Sequence, residues 1–125
     1  MHEMEVTDMV RCDLCGGEMC VEKRDMKFSV IRFKCKSCDR EIEVDWIRIA
    51  AKPKSAYISA IIQALAKKGG RVYISAVGVR RTTMLDIVSI IRDVASIEET
   101  FIQQIDGRTM EFGFVLRKRG GNGNE

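Results

Sequence analysis

Residues 52–92 read KPKSAYISAIIQALAKKGGRVYISAVGVRRTTMLDIVSIIR, and this stretch decides the fold. Lys52-Pro53-Lys54 breaks an extended run, because proline cannot continue a strand ladder. Ser55 is the expected N-cap of a helix in which Ile58, Ile61, Ile62 and Leu65 recur at i, i+3, i+4 and i+7. Lys67 and Lys68 suit the negative end of its dipole, and Gly69-Gly70 stop it. Arg71 to Val77 then alternates as a strand, with Val72, Ile74 and Ala76 on one face, and Gly78 sits in the following turn. Thr82 or Thr83 is expected to cap a second helix, with Asp86 completing a capping-box-like pair. Met84, Ile87, Val88, Ile91 and Val94 form its expected buried stripe, which Leu85 and Ile90 widen.

The reading extends outward from there. Upstream, Ile42, Val44 and Trp46 alternate with Glu43 and Asp45, and Ile47 and Ile49 carry the run to Ala51. Downstream, Glu98 to Ile105 reads as a strand, Asp106-Gly107 as a tight hairpin turn, and Thr109 to Arg117 as a closing strand. Met110, Phe112, Phe114 and Leu116 share one face of that strand. The order β-α-β-α-β-β, with right-handed crossovers, predicts an α/β two-layer sandwich over residues 46–119, with two helices on one face of a mixed four-stranded sheet. Residues 120–125 are expected to form a flexible tail.

The first 45 residues carry a different signal. Cys12-Asp-Leu-Cys15 and Cys35-Lys-Ser-Cys38 are two CxxC pairs. Each such turn can aim two thiolates at one point, and two turns supply the four soft ligands of a tetrahedral Zn²⁺ site. Gly16-Gly17 follows the first pair, where a tight turn can bring N–H groups to the sulfurs. Glu22-Lys23-Arg24-Asp25 reads as a charged turn and Phe28 to Lys34 as a strand. The expected module is a zinc ribbon over residues 1–45, ligated by Cys12, Cys15, Cys35 and Cys38. Four protein ligands leave no open position, so the zinc is expected to be structural. A segment this short buries too little core to fold without it. Cys20 is expected to be a small core residue rather than a ligand. His2 is the only histidine and receives no role. No linker composition separates the two modules, so they are expected to be rigidly joined or to share a strand.

Composition narrows the function classes. The chain has 125 residues, 46% hydrophobic and 31% charged, as expected for globular protein. Its longest apolar runs fall short of the ~18–20 residues that span a bilayer, and the acidic start MHEMEVTDMV lacks a signal-peptide pattern. The expected location is cytoplasmic, with no membrane contact. Residues 1–46 hold 8 basic and 11 acidic side chains, whereas residues 47–125 hold 13 and 7. A polyanion should therefore meet the second part of the chain.

Residues 50–118 resemble the Alba family of small archaeal chromatin and RNA-binding proteins. The resemblance lies in Lys52-Pro53 followed by Tyr57, in Gly69-Gly70 before Val72-Tyr73-Ile74, and in Ala76-Val77-Gly78. It continues through Asp86, Ile90, Ile91 and Arg92 to the closing Phe114-Val115-Leu116-Arg117-Lys118. It implies a homodimer that presents lysines and loops to RNA or DNA, with Lys52 as the residue carried over directly. Two features depart from the family. Val77 and Val79 flank the loop glycine where basic residues are common, with Arg80 and Arg81 just beyond. Asp106-Gly107-Arg108 forms a short tip in place of a long groove-reaching arm.

Lys52 and Lys54 begin the first helix and Arg80 and Arg81 the second, and both helices follow the C-terminal ends of parallel strands. The two basic clusters should share one edge, where helix N-termini add N–H donors suited to phosphate. The expected nucleic-acid contacts are therefore Lys52, Lys54, Arg80, Arg81 and Arg108. With no base–nucleophile pair, phosphate-cradling glycine motif or open metal site, no enzymatic activity is expected. A rival reading is a protein-interaction adaptor in a ribonucleoprotein or transcription complex. It would dock through the acidic ribbon, Trp46 and the apolar face of the last strand.

Overall fold

The computed structural model describes residues 10–12, 14–67, 69–104 and 106–119. His2, Lys68 and the 120–125 tail lie outside them. Among the described residues, seven strands and two helices follow in the order β1 (Val10–Arg11), β2 (Glu18–Asp25), β3 (Val30–Cys35), β4 (Glu41–Arg48), α1 (Lys54–Leu65), β5 (Arg71–Val77), α2 (Arg80–Ile90), β6 (Ala95–Gln104) and β7 (Met110–Lys118). All strands belong to one mixed sheet of order β1-β2-β3-β4-β5-β7-β6. Only β4 and β5 are parallel; the other neighbours are antiparallel.

The sheet curls until its two ends meet. Phe33 of β3 and Phe101 of β6 approach with ring centroids 6.2 Å apart, although three strands separate theirs in the sheet order. One core, built on Phe33, Trp46, Tyr73, Phe101 and Val115, fills the inside of the curl. The other, built on Ile61, Leu65, Ile74, Met84, Ile87 and Leu116, lies between the outer face and the two helices. Strand β5 is buried on both faces from Arg71 to Ala76, as expected of a strand covered on both sides.

This architecture corrects the four-stranded two-layer sandwich. The expected β-α-β-α-β-β order is present from Glu41 to Lys118, but its sheet is not a separate four-stranded layer. β4 pairs with β3 through Val30↔Asp45 and with β5 through Arg48↔Ser75, so the cysteine-bearing strands continue the same sheet. The 45/46 division falls inside β4. Glu22 to Asp25 belong to β2, and the turn lies at residues 26–29, which leaves Phe28 68% exposed outside β3. The charge run was misleading because Arg24 turns inward. Its Nη1 donates to Glu111 Oε1 at 2.8 Å, and its guanidinium lies 5.3 Å from the Trp46 ring.

Local signals failed at the helix starts. Pro53 and Val79 occupy the N-cap positions and neither helix has a side-chain cap, so Ser55, Thr82 and Thr83 are helical residues. Asp86 pairs with Lys54 across the two helices instead. Of the apolar stripes, Ile61, Leu65, Met84, Ile87 and Ile91 are buried, but Ile62, Leu85, Ile90 and Val94 are exposed. Lys67 donates to Asp45 at 2.7 Å rather than to the end of α1.

Arg71 and Trp46 are paired inside the curl, as burial of polar groups requires. The side chain of Arg71, 4% exposed, makes two 2.8 Å hydrogen bonds to Glu98 and a third to the Arg11 carbonyl at 3.2 Å. The indole N–H of Trp46 donates to Ser75 Oγ at 2.8 Å. Tyr73 passes over Gly113, where an added Cβ would lie 2.3 Å from the hydroxyl oxygen. Glu98→Ala removes the carboxylate that accepts both 2.8 Å bonds from Arg71 and should lower unfolding free energy by about 3–5 kcal/mol in urea titrations, whereas Arg71→Met combined with Glu98→Leu should lower it less. Gly113→Ala should destabilise by about 1–3 kcal/mol through overpacking, and Gly113→Ala with Tyr73→Leu should recover part of that loss.

Candidate metal centre and basic end

The four cysteines meet at one point. Their sulfurs all lie within 4.8 Å of one another, with Cys12–Cys38 at 3.6 Å and Cys15–Cys35 at 3.5 Å. A Zn–S bond of about 2.3 Å implies tetrahedral S···S edges of about 3.8 Å, so the cluster has the dimensions of a four-thiolate site. Two similar turns create it. In the first, Cys12 N–H donates to the Gly17 carbonyl and Gly16 N–H to the Cys12 carbonyl, both at 2.9 Å. In the second, Cys35 N–H donates to the Arg40 carbonyl at 2.8 Å and Asp39 N–H to the Cys35 carbonyl at 3.1 Å. Each turn needs a left-handed residue four places after its first cysteine: Gly16 at φ 74° and Asp39 at φ 63°. Gly17 has no room for a side chain, since an added Cβ would lie 2.7 Å from Ser37 Oγ.

The backbone prepares these sulfurs for a cation. Gly17 N–H points to Cys15 Sγ and Ser37 N–H to Cys35 Sγ, each at 3.4 Å. A backbone hydrogen bond from Cys15 is the largest influence holding the Cys12 thiol down to about 6. At Cys38 the backbone N–H of Arg40 also favours the thiolate, but desolvation and the other three sulfurs push it up to about 12. Cys35 is lowered, chiefly by a backbone hydrogen bond from Cys38. Four crowded thiols thus resist sharing negative charge, and a bound dication removes that conflict. Cys20 lies in β2, outside the cluster.

The basic candidates lie at one end of the sheet. Parallel β4 and β5 bring Lys52 and Arg80 to the same edge, and the antiparallel pair Val77↔Glu111 brings the β6–β7 turn there with Arg108. The buried Tyr57 hydroxyl accepts hydrogen bonds from Ala50 N–H at 2.7 Å and Lys52 N–H at 3.0 Å, fixing the turn that carries Lys52. Lys54 is committed to Asp86. The Arg81 guanidinium lies 4.5 Å from the Phe112 ring and its Nε donates to the Gly78 carbonyl at 2.9 Å. Asp106 accepts from the N–H groups of Arg108 and Thr109, at 2.8 and 2.9 Å, which also lowers its carboxyl pKa. Among the described residues, Lys52, Arg80, Arg81 and Arg108 make no ion pair.

Sequence reasoning missed Arg48, whose guanidinium lies 5.5 Å from the Trp46 ring, and exposed Phe28 with the Lys27 ammonium 5.5 Å from its ring. Arg48 was visible only as the last residue of an alternating strand, and Phe28 as part of an apolar run.

Together these features define an α/β chain with a four-cysteine candidate metal centre at one end of a curled sheet and a basic set at the other. No protein-family model matches the chain, and no curated protein matches it. Among the described residues, no helix is long and apolar enough to cross a membrane.

Metal binding is directly testable. Purified protein should bind one Co²⁺ per chain with the absorption of tetrahedral thiolate coordination. Cys35→Ser should abolish that spectrum and Cys20→Ser should preserve it. Gly17→Ala should weaken binding, because the second turn must shift away from the new methyl group.

Proposed function

We propose that this protein binds nucleic acid through the phosphate backbone, with Lys52, Arg80, Arg81 and Arg108 making the principal contacts and a structural Zn²⁺ holding the opposite end. The observation that carries this reading is the convergence of three separate segments on one end of the sheet, each bringing cations unpaired by carboxylates among the described residues. Phosphate contacts of this kind position a polyanion without reading base edges. Zinc is the assigned metal because four thiolates in a closed tetrahedron match its softness and geometry.

The resemblance to the Alba family agrees with this placement of Lys52, and the short Asp106–Arg108 tip favours RNA over groove-penetrating DNA contact. Homodimerisation accompanies the reading. Ile62 and Val94, 47% and 46% exposed, line a common cleft with Leu65 and Ala66, flanked by Asp93, Lys118 and Arg119, a surface suited to a second copy. The adaptor reading is less favoured, because Trp46 and Leu116, two members of its docking face, are only 5% and 1% exposed.

Structured RNA and duplex DNA titrated across a salt series provide the test. Lys52→Glu with Arg80→Glu should weaken binding at least tenfold and make the log–log salt slope shallower by about 2, the expectation for two lost phosphate contacts. Lys54→Ala should have a smaller effect, since Asp86 already occupies that ammonium. Salt-insensitive binding, or binding unchanged in the double variant, overturns the proposal.

A further inference from the structure

A trough runs beside the basic end. Pairing of β3 with β4 stops at Val30↔Asp45, whereas β4 continues along β5 to Arg48. The end of β4 therefore lacks β3 cover and becomes a floor. One wall is the β2–β3 turn at Ser29; the other is α1, which contributes the small side chains of Ala56 and Ala60 and the buried Tyr57. The resulting cleft has a volume of about 950 Å³, and Arg48 and Lys52 are the charged residues among its lining, with no carboxylate. Trp46 also lines it, with the Arg48 guanidinium 5.5 Å from the indole. A smaller cleft of about 330 Å³ shares Ser29, Trp46, Ile47 and Ala60 and adds exposed Phe28 together with Asp45, whose carboxylate is paired with Lys67.

The local hydrogen bonding distinguishes possible occupants. A peptide adding to a strand edge needs a run of free main-chain donors and acceptors. Four donors here are engaged, Trp46 N–H with the Ser29 carbonyl at 2.7 Å, Ile49 N–H with the Ser75 carbonyl at 2.8 Å, and Ala50 and Lys52 N–H with the Tyr57 hydroxyl, which interrupts any such run. The available groups are side chains: two cations and an exposed phenyl ring. Cations track a phosphate chain, and aromatic and guanidinium planes stack on unpaired bases. A duplex keeps its bases stacked inside and cannot lower one between the β2–β3 turn and α1.

We infer that this trough is a binding site for single-stranded nucleic acid, with Arg48 and Lys52 on the phosphates and Phe28 as a stacking surface at its rim. The inference deepens the nucleic-acid reading above and rests on it. It assigns the ligand an unpaired strand and adds Arg48, Phe28 and the small face of α1 to the site.

Trp46 is the only tryptophan, so its emission reports this trough selectively. The full-length protein should be titrated at low salt with a twelve-nucleotide oligothymidylate, its duplex with oligoadenylate, and polyglutamate, while Trp46 fluorescence and anisotropy of labelled oligonucleotide are followed. The single strand should bind at least tenfold more tightly than the duplex and change Trp46 emission saturably. Ala56→Phe, which fills the trough at an exposed helical position, and Arg48→Glu should each weaken single-strand binding about tenfold. Both variants should keep the wild-type circular dichroism spectrum and melting temperature within a few degrees. Phe28→Ala should weaken single-strand binding several-fold. Unchanged single-strand affinity in folded Ala56→Phe and Arg48→Glu overturns the trough while leaving the broader reading intact. Absence of binding to any nucleic acid overturns both. Preference for the duplex, or an equal Trp46 response to polyglutamate, also overturns the single-strand assignment.

Discussion

Strand β4 has β3 along one edge and β5 along the other, antiparallel on the first side and parallel on the second. The rest of the molecule depends on this double pairing. It removes any hinge between the cysteine-bearing hairpin and the helical half, because bending there would break both ladders. It also fixes the phase of the pleat. Val44 and Trp46 point into the curl, so the residues opposite them in β3 and β5 must do the same. Phe33 and Tyr73 follow from that phase, and with them the interior that draws β6 and β7 under β2 and β3.

The interior is unusually polar for so small a core. Arg24 of β2 reaches Glu111, Tyr73 and Gln103, and Arg71 of β5 pairs with Glu98 two strands away and reaches the Arg11 carbonyl of β1, so each cation links strands distant in sheet order. Apolar packing alone would fill the curl without selecting a degree of closure. The half-buried Arg24, bonded to Glu111, and the buried Arg71, bonded to the Arg11 carbonyl, set how far β2 and β1 come over the other end of the sheet. Burial raises the Tyr73 hydroxyl pKa to about 12 despite the opposing influence of Arg24, so it stays protonated in this network. Such pairs contribute little net stability compared with apolar replacements, but a missing partner is costly. Their main effect here is on geometry.

The sequence made the regular parts of this arrangement legible. The cysteine spacing led directly to a four-sulfur cluster, and the apolar periods located both helices and strands β4 to β7. Failures occurred where tertiary partners overruled local chemistry. Glu22 to Asp25 look like a solvated turn until Arg24 is seen to have Glu111 as its partner, 87 residues away. Thr83 and Asp86 look like a cap until Lys54 claims the aspartate. The alternation of Ile42, Val44 and Trp46 was readable, but nothing local said that the opposite face of β5 would also be covered. The expected strand put Val72, Ile74 and Ala76 on one face, and Arg71, Tyr73 and Ser75 on the other face are buried as well. In the basic set, sequence order placed Lys52 and Arg80 on one edge. It did not show that Lys54 is neutralised or that Arg48 stands over Trp46.

The metal centre and the basic end are separated by the length of β3. Six residues from Val30 to Cys35 span roughly 20 Å at ~3.3 Å per residue. A metal held by the four cysteines therefore touches nothing at the other end. Its influence passes through register. The second knuckle begins at the last residue of β3 and the first sits beside the start of β2, so closing the sulfurs fixes how these two strands slide against each other. Their turn, with Phe28 and Ser29, is carried at the far end of the same pair, and Ser29 is tied to β4 through Trp46. A slip of one residue would reverse the inward and outward faces of β3 and expel Phe33 from the core. The four-cysteine site thus acts on the proposed nucleic-acid trough by holding one of its walls in place, a structural role that requires no metal contact with the ligand.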